Sequence, residues 1–273
     1  MTGTERRQTI WSTTRRRLGD LRRDVRERLL RRALNLPSLA PFSHPAPPVI
    51  MRSGDFTSSP LGIALANAFD KALTGVGGPT ENVRRIPGMS GQKYRTFINA
   101  LIKSLPDARY LEVGSWAGST AASAIEGNRL RAVCIDNWSQ FGGPKDEFIA
   151  NLESVLGPDV DFTFIESDFR KVDFSRVGHF NVYLFDGPHN EPDQYDGIIM
   201  ALPALDDYFV LIVDDWNWVA PRIGTFRAIR DAGVDLVCSV EIRITTDNSH
   251  SPVGGETTDW HNGYFFAVLR RRD

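Results

Sequence analysis

The chain has 273 residues, 41% of them apolar and 24% charged, enough to bury one substantial core in one large domain or two modest ones. No segment approaches the ~20 apolar residues of a bilayer span and the N-terminus has no apolar signal core. Two cysteines without metal-ligand spacing make no disulfide framework, so the expectation is a soluble, cytoplasmic protein. Net charge is only −2, yet residues 1–50 hold eleven arginines against four acids, a basic tail on an acidic body, and basic charge confined to a tail argues against a nucleic-acid partner.

Residues 12–35 predict a basic amphipathic helix, with Leu18, Leu21, Val25 and Leu29 recurring every three or four positions among arginines. Such a stripe suits peripheral contact with an anionic membrane, or packing on its own domain or on a second copy. Asp20, Asp24 and Glu27, able to pair with neighbouring arginines, favour packing and count against a transit peptide. The following run, LNLPSLAPFSHPAPPVI, cannot continue a helix and reads as a linker or surface strap, which sets a boundary near residue 50. Residues 51–106 then supply cover helices over 60–75 and 90–105, the second stopping before Pro106, and 107–273 form the core of the 51–273 domain. Between them, Met89 and Ser90 of IPGMSG read as a helix-entry loop.

At Tyr110–Ser123, YLEVGSWAGSTAAS, an apolar strand ends in an acid, turns through Gly114 and Gly118 and enters a helix. The glycines let the backbone bend and approach a ligand, and the helix start offers unpaired N–H groups; Ser115 and Ser119 fall within the turn and at that start. Glu112 stands at the strand's carboxyl end. Twenty-two residues after Gly114, the run LRAVCID delivers Asp136, where a βαβ nucleotide fold keeps a ribose-binding acid. Trp116 occupies the place of the second glycine in G-x-G-x-x-G, which argues against a pyrophosphate and hence against NAD.

Strands and helices alternate from there: DFTFIES, NVYLFDG and YFVLIVDD are near-continuous apolar strands followed by helical segments, the pattern of a parallel sheet covered on both faces. VDLVCSVEIRI and GYFFAVLRR follow without a helix between them, so a hairpin closes the sheet. The expected fold is α/β, doubly wound, with seven mostly parallel strands and a C-terminal antiparallel hairpin. Asp186 ends one strand and Asp214 and Asp215 another, and three crowded carboxylates need a cation or raised pKa values, which makes them a candidate Mg²⁺ site, with Mn²⁺ the alternative. Adjacent strand residues point to opposite faces, so Asp214 and Asp215 can share an ion only if the strand has already broken there; otherwise one caps a helix or pairs with Arg222 or Arg227. His189, three residues after Asp186, is the candidate general base, an imidazole's ordinary pKa being about 6.5. Trp216, Trp218 and Tyr195 are candidate pocket aromatics, and His250 and His261 border a loop placed to overhang it. His44 and His179 read as structural or solvated.

LEVGSWAGST resembles motif I of class I S-adenosylmethionine-dependent methyltransferases, above all the metal-dependent O-methyltransferases, whose turn tolerates an aromatic at the position of Trp116. The resemblance runs from about Ile86 to the C-terminus, and it implies that Glu112, Gly114 and Gly118 border the methionine end of the cofactor, Asp136 the ribose, and Ser167 with Asp168 the adenine. A histidine at 189, where catechol enzymes carry lysine, resembles enzymes that methylate macrolide sugars, and IPGMSG is similar to a segment bordering their active site. The implied function is Mg²⁺-dependent O-methylation of a hydroxylated small molecule, with a glycosylated natural product as the acceptor class. The alternatives are an NAD-dependent oxidoreductase, or a non-catalytic methyltransferase-like scaffold that binds a partner or membrane through the arginine helix.

Overall fold

The computed structural model describes residues 19–20, 22–37, 48–252 and 259–272. A helix, α1, covers residues 22–33. After it come β1 (Val49–Gly54), α2 (Pro60–Thr74), the single turn α3 (Glu81–Arg84), α4 (Gln92–Ser104), β2 (Ala108–Val113), α5 (Ser119–Ile125) and β3 (Leu130–Asp136). The second half runs α6 (Lys145–Glu153), β4 (Val160–Glu166), β5 (Phe180–Phe185), α7 (Glu191–Ala201), β6 (Leu205–Val213), α8 (Val219–Asp231), β7 (Val234–Arg243) and β8 (Tyr264–Arg271).

One eight-stranded sheet has the order β1-β7-β8-β6-β5-β2-β3-β4. Strands β2 to β6 pair in parallel, β8 inserts antiparallel between β6 and β7, and β1 lies antiparallel along β7. This is the expected α/β sheet with its closing antiparallel hairpin. The eighth strand corrects the expected seven: β1 is an edge strand of alternating half-buried and exposed residues, a short signal directly behind the proline-rich run. Because β2 is followed outward by β3 and β4 and the chain then returns to β5, the strand order reverses between β2 and β5, and the carboxyl ends of those two strands open a crevice.

Alternation along each strand divides the core. Tyr110, Cys134, Leu184 and Ile212 face the layer of α2, α4, α5 and α6, while Leu111, Val133, Tyr183 and Leu211 face α1, α7 and α8. The first cover helix starts with an N-cap, Ser59 Oγ accepting from Gly62 N, and ends on Gly75 at φ 67°. Helix α1 packs on its own domain, but not by the expected stripe. Val25 and Leu29 are 48% and 60% exposed, whereas Leu30 and Leu36 join the second core layer and Glu27 and Arg31 are buried. Leu18 and Leu21 lie outside the described residues, as do His44 and most of the proline-rich run. No described helix is long and apolar enough to cross a membrane, and Cys134 and Cys238 are both free and buried.

Candidate active site

The crevice holds a cavity of about 500 Å³, within the range of small-molecule sites. Its floor is the turn after β2. Gly114 sits at φ 89°, and a Cβ there would meet the Asp186 carbonyl oxygen at 1.9 Å, so only glycine lets the ends of β2 and β5 come this close. Gly118, at φ 83°, lies over Leu152 and Phe148 at the start of α5. Asp136 at the end of β3 holds the turn: one carboxylate oxygen accepts from Ser115 N and Trp116 N, each at 2.8 Å, and the other from Trp138 N at 2.7 Å. Trp116, Trp138 and Phe141 all take positive φ, and they interlock: Trp138 Nε1 donates to the Trp116 carbonyl and Trp116 Nε1 to that of Phe141. Three non-glycine residues in the left-handed region within one loop pair mark a wall whose strain is held by its surroundings.

Asp136, Ser167, Asp168 and Asp186 line the cavity together with Gly114, and Met89 reaches it from the loop before α4. Ser115, Gly118 and Ser119 stand behind the lining, Ser119 Oγ being hydrogen-bonded to Ser90 Oγ at 3.0 Å. Glu112 is fully buried and not part of the lining; facing the α4–α5 layer, it accepts from the Tyr110 hydroxyl, and burial pushes its carboxyl up to about 7.

The acidic residues converge on the opposite wall. Strand β6 ends at Val213, and Asp215 adopts φ 55°, so the strand has broken before the acidic pair and both side chains border the cavity beside Asp186 and His189. Burial first, then repulsion from Asp214 and Asp215, raises the Asp186 carboxyl well above its usual range, although the side chain keeps about 30% exposure; burial and repulsion from Asp215 do the same to Asp214. Asp215 is different. Burial opposes its ionisation, but the bond from His189 holds it below the usual range: His189 Nε2 lies 3.0 Å from Asp215 Oδ2 and 3.8 Å from the nearer Asp186 oxygen. Asn262 Nδ2 takes the other Asp215 oxygen at 2.8 Å, and Asn217 Nδ2 in turn donates to Asn262 Oδ1 at 2.8 Å. With both Asp215 oxygens engaged, no group of three or more His, Cys, Asp or Glu side chains among the described residues forms a metal cage. Neither expected arginine pairs with these acids: Arg222 bonds Glu27 and Arg227 bonds Glu191.

Trp218, His250 and His261 continue the wall from His189, adjacent ring centroids standing 5.4–5.8 Å apart, so described residues near both ends of the hairpin loop line the cavity. Trp216 instead stacks on Phe265 in the core, and Tyr195 packs against Arg227, both away from the lining. The sequence reading missed Asn217, Asn262, Trp138 and Phe141. For Asn262 the signal is its place one residue before Gly263 and β8, which lays it beside the end of β6 once the antiparallel pairing forms.

No family model and no curated protein matches the chain. Solved structures of similar layout include an O-methyltransferase from Bacillus cereus in complex with SAH (14% identity, TM-score 0.48, covering 77% of this chain and 100% of that one). A second is an SAH-bound methyltransferase from Podospora anserina (15%, 0.45, 87% and 100%), and a third the cofactor-bound protein Rv0187 from MTB (18%, 0.47, 77% and 91%).

Proposed function

We propose that this protein is an S-adenosylmethionine-dependent O-methyltransferase acting on a hydroxyl of a small molecule. The observation that carries the reading is that the glycine turn and a His–Asp pair border one cavity at the strand-order reversal. The donor would lie over Gly114 between Asp136 and Ser167, with Asp168 toward its adenine. Asp215, ionised and bonded to His189 Nε2, fixes the imidazole with that nitrogen protonated and leaves Nδ1 as the acceptor. The acceptor's O–H proton would pass to Nδ1 of His189, and the donor held over Gly114 would supply its sulfonium methyl to the acceptor oxygen and leave as SAH. Alignment of the two reactants is the main source of rate, since oriented reactions gain about 7–11 kcal/mol.

Mg²⁺, with Mn²⁺ second, is the further group that the resemblance to metal-dependent enzymes adds. Asp186 and Asp214 fit it: they crowd one another at the cavity wall, and a doubly charged ion relieves that repulsion. These two would hold the ion, Asp215 being committed to His189, and its chemistry would be to polarise the acceptor hydroxyl. A glycosylated natural product is the acceptor class the resemblance favours, and the aromatic wall of Trp218, His250 and His261 suits a ring-bearing substrate. Two free buried thiols suit the reducing cytoplasm, and the outward Val25 and Leu29 are the surface by which residues 12–35 would meet a membrane or a second copy.

Calorimetry and turnover test the reading. SAH binds the wild type, while His189→Ala keeps SAH binding and loses about 10²–10⁴-fold in rate with an acceptor found by screening hydroxylated small molecules. Wild-type turnover in His189→Ala removes that residue's role, and no heat with SAH removes the reading. A magnesium titration that loses its heat in Asp186→Asn and Asp214→Asn, but not in Asp215→Asn, supports the two-carboxylate assignment.

A further inference from the structure

A second cavity lies against α1 and shares His189 and Trp218 with the first. At its wall stand three buried guanidiniums, Arg31, Arg222 and Arg243, and the buried carboxylate Glu27, with the buried Glu241 beside them, none more than 7% exposed. Both carboxylates are already used. Arg222 holds Glu27 through Nε and Nη2 at 2.8 and 2.9 Å, and Arg31 bonds Glu241 through both terminal nitrogens and Glu27 through Nε. Arg243, which lines this cavity, is left over: its Nε and Nη2 are buried and have no hydrogen-bond partner among the described residues. Burial, and then the charge of Arg222, pull its guanidinium down to about 9. The acids bordering the cavity, Asp20, Asp24 and Asp247, do not reach those two nitrogens.

Nε and Nη2 form the side-on edge of a guanidinium, the two parallel donors that receive a carboxylate or phosphate in bidentate fashion. Three positive charges against two negative leave one uncompensated charge in a dry place, where unpaired ions are most costly. We propose that the cavity between α1 and the end of β7 is an anion subsite, with Arg243 receiving a carboxylate or phosphate group of the acceptor. Because both nitrogens are closed to bulk water, the anion is admitted by a shift of the cavity's lining side chains and not met at the open surface. Assigning the anion to the acceptor rests on the methyl-transfer reading, since the shared wall of His189 and Trp218 is what joins the two cavities.

The test uses the full chain in chloride buffer, titrated calorimetrically with inorganic phosphate and, separately, acetate at constant ionic strength; the anion that binds tells a phosphate-bearing acceptor from a carboxylate-bearing one. At least one anion binds the wild type, at least tenfold more weakly in Arg243→Met, with Arg243→Lys between them because it keeps the charge without the fork. SAH affinity, measured on the same samples, is unchanged in all three and reports that the variants are folded. The proposal is overturned if neither anion binds the wild type, or if Arg243→Met binds them equally well. A wild type that binds the anion but not SAH keeps the subsite and removes the methyl-transfer reading instead.

Discussion

Single residues carry opposite loads at this sheet edge. Glu112 has no charged partner among the described residues, and its carboxyl is pushed from 4.5 to about 7 by burial. A raised acid means that the folded state holds a proton the unfolded state has lost, so stability is complete below about pH 4.5, falls as pH rises to 7, and stays reduced above it. The shift corresponds to about 3 kcal/mol. Glu112→Gln, which still accepts from the Tyr110 hydroxyl, is therefore expected to match the wild type in urea unfolding near pH 4.5 and to exceed it by up to about 3 kcal/mol at pH 8. An equal difference at both pH values would mean that Glu112 does not titrate in this window. That Glu112 ends a strand is legible from LEVG; that it faces the helices and not the cavity follows from its register opposite Cys134 and Leu184, which only the assembled sheet fixes. Asp136 is similar. Its position is readable from spacing, but its three backbone bonds depend on Trp116 and Trp138 adopting positive φ, which tryptophan does not announce.

Among the elements, the inner parallel strands were readable because β3, β5 and β6 are near-continuous apolar runs, and the closing hairpin because no helix intervenes between its strands. Helix α1 was readable as a helix that packs on its own domain, but not by which face. An apolar stripe is the usual docking face, yet this helix docks through Glu27 and Arg31, whose partners Arg222 and Glu241 lie about 200 residues away in sequence. The net gives α1 a pH dependence opposite in sign to that of Glu112. Burial resists ionisation of Glu27, but the charges and hydrogen bonds of Arg222 and Arg31 prevail and hold it at about 2 against 4.5. Its contribution is present above about pH 4.5 and is lost as pH falls towards 2. Glu27→Gln leaves Arg222 and Arg31 short of a counter-charge in a buried place, a loss of about 3–5 kcal/mol by analogy with other broken buried pairs. The expected readout is faster protease cleavage within residues 22–33 of the variant at neutral pH, with the sheet intact by circular dichroism. Unchanged cleavage would mean that Leu30 and Leu36 alone hold the helix.

For the molecule as a whole, the reversal of strand order explains why residues from Met89 to His261 meet in one place. The turn after β2, the acids after β5 and β6, and the asparagine before β8 become neighbours only because β5 returns beside β2 and β8 runs back along β6. The acids were visible as strand endings and Trp218, His250 and His261 as candidates for the wall; the asparagine bridge was not, because its loops owe their positions to the closed sheet. Coupling of this kind makes the donor cavity a reporter of the whole fold. A ligand that binds only the folded chain adds about 2.7 kcal/mol at a hundred times its dissociation constant. SAH is thus expected to raise the unfolding midpoint in a dose-dependent way, and NAD, whose pyrophosphate needs the room that Trp116 fills, to leave it unchanged. Gly114→Ala sharpens the point. Its methyl group would stand 1.9 Å from the Asp186 carbonyl oxygen, forcing β2 and β5 apart at the crevice, so the variant should unfold at a lower temperature and lose the SAH-dependent increment with it. If Gly114→Ala retained that increment in full, the donor would have to bind somewhere other than this crevice, and the chemistry argued from Asp186, Asp214 and His189 would lose its methyl source.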